Sequence, residues 1–281
     1  MTTPHPTAQS STYPATHSPA TQPPTSQPSA PQTPARQFAA LRRSFGSEWI
    51  KLWTVRSTWW ALSAAVVLMT GVAAIMGGDF AGDVEKGEVT DGTSMGIAEP
   101  AADAAMLAQF GLIAFAMLAV TGEFGTGAIR GTLCADPRRG RVLLAKTLAV
   151  SAVVVPLAFV LALLGLVAGD VTLGEYGTGG TTVEDVAATT VYLVLAAVFT
   201  VGVGALLRNS VGTLSAVIVL LLALPITLGA DRSAYLPGGA GLNLLGGEDP
   251  PYSRLTAAVL FALWTVAAQL AGYASLRRRD V

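Results

Sequence analysis

The sequence predicts an all-α integral membrane protein with six transmembrane helices, an N-terminal amphipathic helix and a disordered N-terminal tail. Three observations lead there: the composition, the length of the apolar runs and the segregation of charge between the loops. Hydrophobic residues make up 52% of the 281 residues and charged residues only 12%, with a mean hydropathy of +0.54. A soluble domain carries about twice that share of charge.

Crossing the hydrocarbon core takes about 20 predominantly apolar residues. Six runs meet that length, at residues 59–76, 104–121, 148–168, 187–207, 211–228 and 255–274, and charges appear only at their margins. Threading six spans places Arg36, Arg42, Arg43, Lys51, Arg56, Arg130, Arg138, Arg139, Arg141, Lys146, Arg208 and Arg277 to Arg279 on one side. The opposite loops hold most of the acids and only Lys86, Arg232 and Arg254 among the bases. By the positive-inside rule the basic side is cytoplasmic, so both termini face the cytoplasm of a multi-pass protein in the cell membrane.

Residues 1–36 are dominated by Pro, Thr, Ser, Gln and Ala, with few side chains large enough to build a core. That composition predicts a disordered cytoplasmic tail. It contains no apolar stretch after a basic start, so it does not read as a secretory signal. In residues 37–56, Phe38, Leu41, Phe45, Trp49, Leu52 and Trp53 recur at intervals of three or four. Arg42, Arg43, Glu48, Lys51 and Arg56 are assigned to the opposite arc. The pattern is that of an amphipathic helix lying on the bilayer, with its tryptophans at the headgroup boundary.

Several chemistries are excluded. The one cysteine, Cys134, cannot form an intrachain disulfide, and both histidines, His5 and His17, lie in the tail. A histidine-based metalloprotease, a Ser-His hydrolase and a His-ligated haem therefore lack their groups. No catalytic, cofactor or metal site is expected, and the net charge of −1 predicts no nucleic-acid partner. Gln109 and Gln269, the strongly polar side chains within spans, are expected to hydrogen-bond between helices. Pro156 and Pro225 remove backbone hydrogen bonds within theirs.

GEFGTGAIRGTLCADPRRGRVLLAK, residues 122–146, connects the second and third spans. Its glycines invite a phosphate-loop reading, but Ala128 and Ile129 occupy the Lys and Ser/Thr positions that such a loop requires, and Arg130 stands where a dinucleotide fingerprint needs glycine. What remains is a polar turn at 122–127, a short helical stretch around 128–135, a break at Pro137 and a basic lead into the third span. Such a shape can present a small helix to a cytoplasmic partner.

Residues 47–60 (SEWIKLWTVRSTWW), 122–133 (GEFGTGAIRGTL) and 137–146 (PRRGRVLLAK), together with the six spans, resemble the membrane subunits of type-2 ABC exporters, particularly actinobacterial ones. The resemblance covers residues 37–281 and implies a permease domain without its own ATPase. It implies a separate ABC ATPase subunit as partner, and a permease homodimer or permease pair within the lipid bilayer. The connecting helix of the family would map to 37–56, with Glu48, Trp49, Lys51 and Arg56 as candidates. Its coupling element would carry Glu123, Gly125, Gly127, Arg130, Leu133, Arg138 and Arg139. Glu123 and Arg130 are expected to organise the connection by pairing with each other or with the connecting helix, and Leu133 to face the partner. A short re-entrant or interfacial pair would map to 228–253. An ATP-independent secondary carrier and a non-transporting membrane anchor are the alternative readings.

Overall fold

The computed structural model describes residues 34–89, 93–127, 139–180, 182–246 and 251–278. Helix α1 (Pro34–Thr54) begins on a proline, which suits the first helical turn because its missing N–H has no intrahelical partner there. The expected tail lies outside the described residues as far as residue 33, and residues 34–36 already belong to α1. One extended residue, Val55 (φ −96°, ψ 121°), separates α1 from α2 (Arg56–Glu85).

The remaining spans are α3 (Glu99–Thr126), α4 (Arg139–Leu173), α5 (Val183–Leu207), α6 (Ser210–Leu228) and α8 (Arg254–Arg278). With α2 they give six helices long and apolar enough to cross a membrane, in an all-α multi-pass architecture. Local chemistry sets their ends. Thr182 and Asp185 form a reciprocal capping box at the start of α5. Asn209 caps α6 by accepting from the Gly212 N–H at 2.9 Å. Only Arg208, in the left-handed region at φ 57°, and Asn209 join α5 to α6, so these two helices run back to back.

Helices α3 and α5 form the inner layer, and α2, α4 and α8 pack around them. The inward stripe of α2 is Ala61, Ala65, Met69, Ala73 and Gly77, each four residues after the last. Small side chains at that spacing allow close helix approach within a bilayer, where apolar burial alone does not drive association. On the outer surface Val67, Val171, Val211, Leu255 and Leu270 are exposed, a lipid-facing pattern in which apolar side chains need no protein cover.

In α6 a π-helical turn, Val219–Ala223, precedes Pro225. Proline lacks an N–H and crowds the carbonyl four residues back, here Leu221, and a π turn absorbs that mismatch. The displaced carbonyls face the short helix α7 (Pro237–Leu245): a Cβ on Gly238 would stand 2.5 Å from the Leu221 oxygen and 2.7 Å from the Leu220 oxygen. Glycine is required there by contact. A turn, Ala230–Ser233, together with α7, fills the stretch before the last span where a re-entrant or interfacial pair is expected.

The two intramembrane glutamines behave differently. Gln269 donates to the Val198 carbonyl at 2.8 Å and accepts from Thr147 at 3.3 Å, linking α8 to α5 and α4. Gln109 instead donates to the Met106 carbonyl one turn back in its own helix, and its Oε1 is buried without a hydrogen-bond partner among the described residues. Its side chain also lies within hydrogen-bonding reach of the buried Tyr192 hydroxyl on α5, the interhelical contact expected of it.

Candidate functional site

Sequence places four charged residues on three elements that meet at one end of the bundle: Glu48 and Lys51 on α1, Glu123 in the last turn of α3, and Lys146 in the third turn of α4. They form a closed ring. Lys51 Nζ lies 2.7 Å from Glu48 Oε1 and 2.8 Å from Glu123 Oε1. Lys146 Nζ lies 3.2 Å from Glu123 Oε1 and donates a close hydrogen bond to Glu48 Oε2. It also donates to the Ala119 carbonyl at 2.8 Å, so its three N–H groups have three acceptors.

Glu48 is 4% exposed and Lys146 5%. Charged groups are kept at such depth only when paired and hydrogen-bonded. The two lysines and two glutamates sum to zero charge, and each faces two of opposite sign.

The ring corrects one expectation. Periodicity places Glu48 on the arc opposite the apolar stripe of α1, yet it points inward. Phe45, Glu48, Trp49 and Leu52 follow the i, i+3, i+4, i+7 spacing of one helix face, so its position within the apolar stripe was readable. Lys146 was counted only as a loop charge. It too sits in an inward stripe, with Val142, Leu143, Ala149 and Val150. Two opposite charges, each embedded in an apolar face, were the signal for a buried pair.

Aromatic stacking sets the angle at which α1 meets the bundle. Phe45 and Trp49 stack with centroids 6.0 Å apart, Trp49 meets Trp53 edge-on at 5.7 Å, and Trp53 reaches Trp59 of α2 at 5.1 Å. Trp60 is 79% exposed, and Arg56 is exposed at the start of α2. At the same end Arg208 donates to the Ser275 carbonyl at 2.8 Å and lies over the Phe124 ring at 5.6 Å, tying α5, α8 and α3 together. Thr121 and Ser210 hydrogen-bond at 2.8 Å.

Of the other candidates, Gly125 lies in the last turn of α3 and Gly127 ends that helix at φ 72°, a left-handed cap natural to glycine. Arg130, Leu133 and Arg138, and the helical stretch expected around 128–135, lie outside the described residues. Arg139 opens α4. The ring therefore sits where the 128–138 connection leaves α3 and enters α4, and it fastens both helix ends to α1.

Burial alone would lower the pKa of Lys51, but hydrogen bonds to Glu123 and Glu48 outweigh it and hold the ammonium above its ordinary 10.5. A lysine raised in the folded state contributes stability that is fully present below its unfolded pKa and lost as pH rises through the folded one. The difference in melting temperature between wild type and Lys51→Met is therefore expected to stay constant through neutral and mildly alkaline pH, shrinking only above about pH 10.4. A difference that already decays near neutrality would contradict this assignment.

No model of a known protein family matches the chain, and no curated protein matches it.

Proposed function

We propose that this chain is the permease subunit of an ATP-driven exporter, and that the connection between α3 and α4 receives the motion of a separate ABC ATPase subunit. The observation that carries the reading is the buried charge ring, which joins the interfacial helix α1 to both ends of that connection. A partner that displaces the connection cannot move α3 alone. A shift of α3 alone would strand Glu123, and a shift of α4 alone would strand Lys146, buried and without a counter-ion.

The basic residues gathered at this end make it the cytoplasmic side under the positive-inside rule. Two permease copies in the bilayer with two ATPase subunits would complete the unit. Glu123 Oε2 is buried without a hydrogen-bond partner among the described residues. ATP-driven closure of the partner does work on the spans only through contacts that differ between its states, and the connection is that contact.

The test is the turnover of a stand-alone ABC ATPase encoded beside this chain's gene, alone and with this chain in lipid nanodiscs. Wild type is expected to raise turnover. Glu123→Gln is expected to retain the ATPase on co-purification while losing that stimulation. Unchanged turnover with wild type would overturn the reading.

A further inference from the structure

At the opposite end of α3 from the charge ring, the first two turns of that helix face α7 and the start of α8 across a cavity of about 720 Å³. Among the described residues, the free polar side chains of its lining are acceptors. Glu99 and Asp103, four residues apart, share one face of α3. Glu99 Oε1 accepts from the Gly96 N–H at 3.2 Å, and Asp103 has no hydrogen-bond partner among the described residues.

The third acceptor is fixed by its neighbours. Asn243, on α7, lines the cavity and is 7% exposed. The Tyr252 hydroxyl donates to the Ala234 carbonyl, so toward Asn243 it can only accept, and Asn243 Nδ2 donates to it at 3.0 Å. That orients the carboxamide and leaves Oδ1 of this cavity-lining residue as an acceptor without a partner among the described residues. Arg254, the cation in the lining, is already held by Asp185 at 2.8 Å and Glu184 at 3.8 Å. Met106 and Leu242 supply apolar wall.

We infer that this cavity binds a primary organic ammonium with an apolar body. An ammonium offers three N–H donors, and Asn243 Oδ1, Asp103 and Glu99 offer acceptors with two negative charges among them. The volume lies within the range of about 300–1,000 Å³ typical of sites for drug-sized ligands. An anionic ligand would meet two like charges, and a neutral one would gain nothing from the two carboxylates, which are exposed to solvent. A quaternary ammonium has no N–H to give to Asn243. The same chemistry is presented by a soluble amine and by an ethanolamine phospholipid headgroup.

The test uses the full chain in phosphatidylcholine nanodiscs, with dansylcadaverine as fluorescent amine probe, its N-acetyl derivative as neutral control and empty nanodiscs as background. The amine is expected to bind about tenfold or more tighter than the acetylated probe, the loss expected of a charge-assisted hydrogen bond. Asp103→Asn and Glu99→Gln should each weaken the amine by a similar factor and leave the acetylated probe unchanged. Glu88→Gln, at an exposed residue outside the cavity, should change neither.

Adding phosphatidylethanolamine separates the sources. Competition with the probe assigns a lipid headgroup, and no competition assigns a soluble amine; both support an ammonium site. Equal binding of the two probes, or wild-type amine binding by both carboxylate variants, would overturn it. The assay contains no ATPase, so its failure leaves the permease reading standing, and the converse holds.

Discussion

Lys146→Met is expected to destabilise the protein more than any other single side-chain change at the charge ring, by about 3–5 kcal/mol, the usual cost of removing one partner of a buried pair. The methionine fills much the same volume, so the loss comes from charge. Glu48, 4% exposed, would keep only Lys51 as counter-ion, and Glu123 would lose its second cation. The Ala119 carbonyl would also lose its lysine donor. The ring predicts its own rescue: Glu48→Gln combined with Lys146→Met leaves the neutral Lys51–Glu123 pair in place. The double variant should therefore cost less than the sum of the two singles, as expected for groups in direct contact. Thermal unfolding in detergent of wild type, both singles and the double closes that cycle. Additive losses would mean that the four side chains do not act as a unit.

Gly202→Ala is the second large effect expected, and it acts by shape alone. A Cβ at residue 202 would stand 2.6 Å from the Ala268 carbonyl carbon and 2.7 Å from the Gln269 nitrogen, both backbone atoms of α8 that cannot rotate away. Helices α5 and α8 would have to separate, stretching the Gln269 to Val198 hydrogen bond. Overpacking of this kind costs about 1–3 kcal/mol. Gly204→Ala, two residues on in the same helix, provides the control. Its Cβ would meet Val120 at 3.5 Å, an ordinary contact, and alanine is the better helix former by about 1 kcal/mol in an exposed helix. The melting temperature should fall for residue 202 and hold or rise for residue 204. Equal responses would show that the α5–α8 contact is looser than described.

The six spans and the amphipathic helix were legible because each is a local property. Length, apolarity and period are contained within one segment, and the bilayer demands them whatever the neighbours. The short helix before the last span was legible for the converse reason: its run is broken by Gly and Pro too often to cross. The charge ring was not assembled in advance, since Glu48 and Lys146 are 98 residues apart and nothing local says which face of α1 meets α4. Periodicity by itself assigns a charged residue to water. It did so for Glu48, although Phe45, Trp49 and Leu52 on the same face argued otherwise. The cavity of Glu99, Asp103 and Asn243 escaped detection because the loop acids looked like topology charges. Only the fold brings α7 against them, and only the Tyr252 network fixes which end of the Asn243 carboxamide is left to accept.

The most direct measurement is detergent co-purification of this chain with any stand-alone ABC ATPase found encoded beside its gene, comparing wild type with a variant in which residues 128–135 are replaced by a flexible linker of equal length. The account predicts that wild type brings down the ATPase and that the variant, folded to the same melting temperature, does not. Retention of the ATPase by the variant, or its absence from wild type, would contradict the claim that this connection couples the six-helix bundle to an ATP-driven partner.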